Sequence, residues 1–299
     1  MSSTTGERLD HYLVRTGHAA SRREAREMVG RGAVRLNGRR GIKGAIVRAG
    51  DEVEVQTAPH LLAIEPDADF PLEVLFEDAA LILVNKPGGI PCHPLRPGEF
   101  GTVMNAVVAR FPEIKDVGDK PIEGGLIHRL DNGTSGALMI ARTTDAFTIL
   151  RRAIRSGAIR RKYLAMVTGN LRAPLTMSAP IAHHPKNSRR MLACDASDAE
   201  RLSARPALTR VQPVRRIGNF TLVEVVPTTG MRHQIRVHLA HAGFPIVGDL
   251  LYGGTPCELE PGRFGLHLAE IDLESPASGA IKVSTPLSDD LARMLEPKS

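Results

Sequence analysis

Short apolar runs, each about the length of one β-strand, are the feature of this 299-residue sequence that most constrains its fold. They are separated irregularly by only two longer amphipathic segments, so the regular strand–helix alternation of a parallel α/β fold is missing. The predicted strands are LILVN (81–85), ALMIA (137–141), KYLAMV (162–167) and FTLVEVV (220–226), and the predicted helices cover 144–156 and 231–242. The pattern therefore predicts an α+β domain built on a mainly antiparallel, mixed sheet.

The first 57 residues predict a separate, small α/β domain. A short helix is expected over 8–16, and Ser21 and Glu24 have the spacing of a capping box that begins a second helix. The pair Asn37-Gly38 is a strong tight-turn signal between short alternating strands. We therefore divide the chain into a domain over 1–57, a proline-containing linker over 58–70 and a larger domain over 71–299.

Positive charge is concentrated in this small domain. The net charge of the chain is +6, and residues 1–55 hold eleven Lys and Arg against seven Asp and Glu. A basic segment on a nearly balanced body favours an anionic partner, with nucleic acid as the first hypothesis. A solvated basic face without any partner is the alternative.

The sequence lacks the patterns of several function classes. Cys92, Cys194 and Cys257 are far apart, so neither a zinc site nor a disulfide framework is expected. Glycine-rich phosphate loops are missing, which argues against a nucleotide cofactor. The N-terminus is polar, and no apolar run approaches the ~18 residues of a membrane span. We expect a cytoplasmic protein that binds no membrane, metal or cofactor, monomeric by default.

The segment LIHRLDNGTSGALMIAR (126–142) is the first candidate for chemistry. Two apolar runs flank a polar, glycine-containing stretch, which predicts a strand end, a loop and a new strand. Asp131 lies at the start of that loop, where a carboxylate can project into a cleft. The residues alone also allow a plain hairpin in which Asp131 only caps the turn.

The segment 222–253, LVEVVPTTGMRHQIRVHLAHAGFPIVGDLLYG, is the second candidate. A strand is predicted to end at 228–230 and a helix to begin near Met231. Polar and basic side chains crowd the first turns of that helix: Arg232, Gln234, Arg236 and His238. Helix-start amides attract anions and arginines strengthen the attraction, although a solvated basic helix end is the alternative. The stretch IAHHPKNSRRML (181–192) predicts a basic loop that either contacts RNA or is simply exposed.

Four motifs resemble, in order, those of the RluA-type pseudouridine synthases of the RsuA/RluA superfamily. They are NKPGGIPCHP (85–94), HRLDNGTSG (128–136), RKYLA (161–165) and GMRHQIRVHLAHAGFPIVGDLLYG (230–253). Leu250 departs from the GDPLYG that the family usually shows, and we expect it to alter a loop, not the chemistry. Residues 8–40, closed by AGDEVEV (49–55), resemble the S4-like RNA-binding domain.

The resemblance implies a cofactor-free conversion of uridine to pseudouridine in a folded RNA. Asp131 would be the catalytic carboxylate and Arg236 the cation that keeps it ionised. Tyr163 would stack on the displaced uracil and help to remove the carbon-5 proton, while Arg129 would fill the space left by the flipped base. Further RNA contacts are assigned to His128, Arg232, Gln234, Arg22, Arg23 and Arg26. For His128, a structural hydrogen-bonding role is the alternative.

Family analogy makes large-subunit ribosomal RNA the first expected substrate and transfer RNA the second. Two other functions stay open. A non-catalytic RNA-binding or ribosome-assembly protein would share these domains but would have no need of a carboxylate, tyrosine and arginine set. A glycoside or nucleoside hydrolase would use Asp131 with a second carboxylate, and the motifs offer only one.

Overall fold

The structure is a computed structural model that describes residues 6–19, 21–30, 32–55, 64–96 and 98–295. The chain divides into two compact units. One is formed by Met1–Glu65 with Leu95–Glu99, and the other by Pro66–Pro94 with Phe100–Ser299. Residues 58–63 of the predicted linker lie outside the described ranges.

The small unit packs two helices on short antiparallel strands. In chain order its elements are β1 Glu7–Arg8, α1 Leu9–Arg15, α2 Arg22–Gly30, β2 Val34–Leu36, β3 Arg39–Arg40, β4 Ile46–Val47 and β5 Val53–Val55. The strands pair as β3–β2–β5 and β1–β4. Its core contains Leu9, Leu13, Ala25, Val29 and Val34, so one apolar face of each helix is buried.

The local signals predicted for this unit are present, with small shifts. Ser21 Oγ accepts a hydrogen bond from the Glu24 amide at 3.2 Å, as the capping box requires. Asn37 and Gly38 have φ values of 52° and 74°, the left-handed backbone of a two-residue hairpin turn. Helix α2 ends at Gly30, and Gly32, with a φ of 78°, caps it by donating its amide to the Val29 carbonyl at 3.1 Å.

A nine-stranded sheet dominates the large unit. In chain order its elements are β6 Glu73–Glu77, β7 Leu81–Lys86, α3 Val103–Arg110, β8 Ser135–Ala141, α4 Thr144–Ser156, β9 Arg160–Thr168, β10 Leu175–Met177, β11 Ile181–His183, β12 Met191–Ala193, α5 Ala196–Ala199, β13 Thr209–Ile217, β14 Phe220–Pro227, α6 Gln234–His241, β15 Leu266–Ser275, β16 Gly279–Ser284 and α7 Asp289–Leu295. The strand order is β10–β13–β14–β9–β15–β8–β7–β6, with β16 paired to β15. Only the β15–β8 pair is parallel among these neighbours, which confirms the predicted α+β class. Within the described ranges, every helix is too short or too polar to cross a membrane.

The helix predicted over 231–242 begins later than expected, at Gln234. The Gln234 side chain accepts hydrogen bonds from the Met231 amide (3.1 Å) and the Thr229 hydroxyl (2.7 Å). His233 has a φ of 54°, which a right-handed helix cannot contain. Residues 229–233 therefore form a closed turn ahead of α6.

Two further predictions of local structure are wrong. No regular strand leads directly into Asp131: within 126–130, Leu126 forms an isolated bridge with Ile140 and the rest is irregular. The basic stretch at 183–190 is not a simple loop but the turn of the hairpin formed by β11 and β12. Apolar side chains at both ends of this hairpin, including Ile181 and Met191, are buried in one cluster with Val237 of α6, and this packing fixes its position.

Candidate active site

A cleft of about 90 Å³ opens between the turn that carries Asp131, strand β9 and the start of α6. Asp131, Tyr163 and Arg236 come from three motifs that are distant in the sequence, and all three line this cleft. Arg129, Arg161 and His233 line it as well. The fold therefore brings the predicted catalytic residues to one place.

The turn around Asp131 is closed by its own backbone. The Asp131 carbonyl accepts a hydrogen bond from the Thr134 amide at 2.9 Å. Gly133 lies so close to the chain at Gly262 that a Cβ would come within 2.3 Å of the Gly262 oxygen. The Asp131 carboxylate bonds to Arg236 instead of capping the turn, and 26% of the side chain is exposed.

Two buried cations hold this turn in place, and neither was given a role from the sequence. Lys86 Nζ donates to three carbonyl oxygens, one of which belongs to Asn132 (3.1 Å). Burial lowers the pKa of Lys86 to about 8, and its three acceptors suit the protonated amine. Arg263 Nη1 donates to the Gly133 carbonyl at 2.6 Å, and its Nε pairs with Asp290 at 2.9 Å.

Arg236 lies between two carboxylates. Its Nη1 is 2.8 Å from Asp131 Oδ2, while its Nε and Nη2 are 2.7 Å and 2.8 Å from the two oxygens of Asp249. The guanidinium also lies 4.4 Å from the centre of the Phe264 ring. Burial alone would lower the pKa of Arg236, but the hydrogen bonds of Asp249 and the charge of Asp131 raise it. Arg236 is thus a permanent cation at the Asp131 carboxylate.

Asp249 is the second carboxylate that the motifs were thought to lack, so that part of the sequence analysis is wrong. Its side chain is 1% exposed, and both of its oxygens bond to Arg236. A hydrolase would need a second carboxyl group that reaches the substrate or a water. Asp249 is occupied and buried behind the arginine, so it serves to fix Arg236.

Tyr163 lines the cleft from β9, with only 7% of the residue exposed. Burial raises the pKa of Tyr163, so the phenol stays protonated at neutral pH. A protonated phenol is a poor base, and stacking on a base is the role that these surroundings favour. Arg161, which lines the same cleft, donates to the Thr229 carbonyl at 3.3 Å.

His233 was missed by the sequence analysis. Its Nε2 lies 3.8 Å from Asp131 Oδ1, and its Nδ1 lies 2.8 Å from the hydroxyl of Tyr252. The same hydroxyl accepts a hydrogen bond from the Met191 amide at 2.8 Å. Burial lowers the pKa of His233 to about 4 despite the nearby Asp131, so the ring is neutral at pH 7.

Buried neutral histidines make the stability of the protein depend on pH. Burial lowers the pKa of His128 to about 3 and that of His267, like that of His233, to about 4. In the unfolded chain these rings titrate near ~6.5, so between pH 4 and 6.5 the unfolded state binds more protons. We expect the free energy of unfolding, measured in urea, to fall by about 1.4 kcal/mol per pH unit for each ring below that point. In His128→Gln the free energy of unfolding should depend less steeply on pH. An equal free energy of unfolding of the wild type at pH 7 and pH 5 would contradict this prediction.

Arg129 lies at the exposed rim of the cleft. Its Nη1 is 3.5 Å from Nε2 of the buried His93, a weak contact that leaves the guanidinium available to a ligand. The position is compatible with the predicted entry of Arg129 into a vacated base position.

Two residues assigned to RNA binding are used inside the protein. The His128 ring is buried, and its Nε2 accepts a hydrogen bond from the Met139 amide at 3.3 Å, so the structural alternative replaces an RNA contact. Gln234 is 4% exposed. Its amide accepts two hydrogen bonds in the 229–233 turn and donates two to Leu208 and Thr209, which fills its capacity.

The other predicted RNA contacts lie at the surface. Arg232 is exposed, although its guanidinium donates to the carbonyls of Ser188 and Arg189. In the small unit, Arg22 and Arg23 of α2 are exposed. Arg26 pairs with the buried Asp10 at 3.2 Å, so its charge also stabilises the unit.

Nothing in the described ranges groups three or more His, Cys, Asp or Glu side chains for a metal ion. A second cleft, of about 240 Å³, is lined by Lys162, Glu270 and Lys282 among others. Its charges pair with each other, with Glu270 lying 3.4 Å from Lys162 and 3.1 Å from Lys282. Despite its larger volume it contains neither Asp131 nor Tyr163, and we place the chemistry in the smaller cleft.

Comparisons with known proteins match both units. A family model described as RNA pseudouridylate synthase matches residues 80–241, and an S4 domain model matches residues 7–53. The ribosomal large subunit pseudouridine synthase D of Xanthomonas campestris is 34% identical over 98% of this chain and 89% of its own length. The protein of the same name from Pseudomonas aeruginosa is 31% identical, over 87% and 83%. The structure of human RNA Pseudouridylate Synthase Domain Containing 1 is 25% identical, with a TM-score of 0.61, and covers 79% of this chain and 92% of that one.

Proposed function

The chain belongs to the RNA pseudouridylate synthase family, whose members isomerise uridine to pseudouridine, and from this premise we propose that Asp131 is its catalytic carboxylate and large-subunit ribosomal RNA its substrate. The observation that supports this role most is the 2.8 Å contact between Asp131 and Arg236 in a cleft. A carboxylate attacks or deprotonates a sugar in its ionised form, and the buried guanidinium of Arg236 pairs with that carboxylate and holds it at the cleft.

The reaction exchanges one bond for another within the nucleotide. The bond from the sugar C1′ to N1 of uracil breaks, the base rotates, and C1′ bonds to C5. The proton on C5 leaves, and N1 gains one, so the isomerisation involves neither net oxidation nor hydrolysis. Asp131 acts at the sugar while the glycosidic bond is broken, either by covalent attack or by the glycal route.

Two other residues of the cleft prepare the substrate. A uridine within a stacked helix hides its reacting atoms, so it must first be flipped out, at a cost of a few kcal/mol. Tyr163 provides a ring on which the detached uracil stacks, and Arg129 at the rim occupies the vacated position. Unpaired uridines in loops and bulges are the least costly targets.

The substrate assignment rests on the relatives, two of which carry the name ribosomal large subunit pseudouridine synthase D. The S4 domain at 7–53 supplies a second RNA-binding unit, with Arg22 and Arg23 at its surface. Transfer RNA is the second candidate substrate. We propose that the protein acts as a monomer.

Mapping of pseudouridines by carbodiimide modification and primer extension tests the substrate assignment. Purified protein is incubated with unmodified large-subunit ribosomal RNA or with a pool of transfer RNAs. We expect new pseudouridines at one or a few positions of the ribosomal RNA. Conversion of transfer RNA alone would contradict the assignment while leaving the isomerase activity intact.

A further inference from the structure

The hairpin Ile181–Ala193, called here the basic hairpin, has a turn in which every charged side chain is positive. Residues 183–190 read HHPKNSRR, with three Lys or Arg, two His and no Asp or Glu. Lys186 and Arg189 are exposed, and within the described ranges neither is paired with an acidic side chain. Two unpaired cations on a small turn create a local positive potential that attracts phosphates.

Internal hydrogen bonds order this turn before any ligand binds. The Asn187 side chain accepts from the Arg189 amide at 3.0 Å, and the Asn187 carbonyl accepts from the Arg190 amide at 3.0 Å. The His184 amide closes the turn by donating to the Arg190 carbonyl at 3.2 Å. A preordered turn loses little conformational entropy when a ligand binds.

The basic hairpin is attached to the rim of the cleft. Arg232 donates to the carbonyls of Ser188 and Arg189 at 3.1 Å and 3.3 Å. Directly after the turn, at the start of β12, the Met191 amide donates to the hydroxyl of Tyr252, which contacts His233 in the cleft. An RNA whose target base enters the cleft would therefore pass its backbone close to this turn.

We propose that the basic hairpin binds backbone phosphates of the substrate RNA next to the target uridine, through Lys186 and Arg189. The inference rests on the proposed function, because it assumes an RNA strand at the cleft. Such contacts supply affinity and register but not sequence information.

The test compares two variants that each remove two charges. Lys186→Gln/Arg189→Gln acts on the hairpin. The control, Arg215→Gln/Arg216→Gln, acts on two exposed arginines of β13. They lie at the opposite end of that strand from Thr209, which bonds to Gln234 at the cleft. We expect the hairpin variant to bind the RNA about 10-fold more weakly and to reduce the slope of log Kd against log salt by about 1–2. Its KM should rise while kcat is kept, and the control should match the wild type.

Equal salt slopes for the hairpin variant and the wild type would overturn the proposal, as would an equal loss in the control. A wild type that binds RNA through the hairpin but forms no pseudouridine would leave this inference standing and reject the proposed function. The two failures are therefore distinguishable.

The hydroxyl of Tyr252 contacts both the Met191 amide and the His233 ring, and this geometry carries a second inference. Its oxygen accepts from the Met191 amide, and burial raises the pKa of Tyr252, so the phenol keeps a proton to donate. His233 Nδ1 lies 2.8 Å from the same hydroxyl, and His233 Nε2 lies 3.8 Å from Asp131 Oδ1. We infer that Tyr252 donates its proton to Nδ1, so that the ring proton lies on Nε2. His233 is then a positioning residue whose Nε2–H group faces the Asp131 carboxylate and orients it.

Tyr252→Phe tests this role because it keeps the ring but removes the proton donor. We expect kcat to fall roughly 10-fold, the effect of one lost hydrogen bond. Tyr12→Phe in the small unit is the matched control and should keep full kcat. Nitrogen-15 NMR of the histidine rings, with His233→Gln for assignment, should show the Nε2-protonated tautomer in the wild type. An Nδ1-protonated ring, or an unchanged kcat in Tyr252→Phe, would overturn the inference.

Discussion

Replacement of Asp131 by Asn should abolish pseudouridine formation while the protein stays folded and bound to RNA. The amide cannot attack or deprotonate the sugar, so we expect kcat to fall by at least about 1,000-fold. Arg236 keeps both hydrogen bonds to Asp249, so the free energy of unfolding should change by less than about 1 kcal/mol. Tritium release from C5-labelled uridine in RNA measures the rate, and a gel shift measures binding.

Asp198→Asn is the control for this substitution. Asp198 of α5 pairs with Arg201 at 2.8 Å and lines neither cleft, so its replacement removes the same charge without touching the proposed site. The control should retain wild-type turnover. An Asp131→Asn protein that turned over at a rate within tenfold of the control would rule out a catalytic carboxylate at this position.

Replacement of Arg236 by Met should damage both stability and catalysis. The change leaves Asp249, 1% exposed, without its cation and leaves Asp131 without its ion pair. Removal of one partner from a buried ion pair typically costs about 3–5 kcal/mol, and we expect a loss of that size in urea unfolding. Turnover should fall below detection because Asp131 then loses the guanidinium that pairs with its carboxylate and holds it in place.

The double variant Arg236→Met/Asp249→Asn separates these two effects. Neutralising Asp249 removes the uncompensated buried charge, so part of the lost stability should return. Turnover should stay absent, because Asp131 still lacks its cation. Recovery of turnover in the double variant would show that Arg236 serves the fold only. A double variant no more stable than Arg236→Met would show that the unpaired Asp249 carboxylate does not cause the loss of stability.

Much of this molecule was predictable because its signals are local. Apolar periodicity located the strands of the sheet. The pair Asn37-Gly38 located a hairpin turn, because these two residue types tolerate the positive φ values that the turn requires. The three proposed catalytic residues came from separate motifs, and the structure brings them to one cleft. Their catalytic roles remain predictions that the substitutions above test.

The remaining parts of the site depend on packing that no local pattern encodes. Arg263 supports the Asp131 turn from more than a hundred residues away, outside every motif. His233 adopts a positive φ although it is not glycine, so the later start of α6 gave no sequence signal. Gln234 looked like an RNA contact because polar residues at a helix start often are, but its environment supplies four internal partners. Asp249 could have been found from the sequence, because it is the one acidic residue in the motif at 230–253 that also contains Arg236.

Single-turnover conversion, with the protein in excess over an RNA that carries the target uridine, tests the central claim most directly because binding and product release no longer limit the rate. The wild type should convert one uridine per RNA, and the Asp131→Asn protein should leave the same bound RNA unconverted. Conversion by the variant at the wild-type rate would contradict the assignment of the chemistry to the Asp131–Arg236 pair.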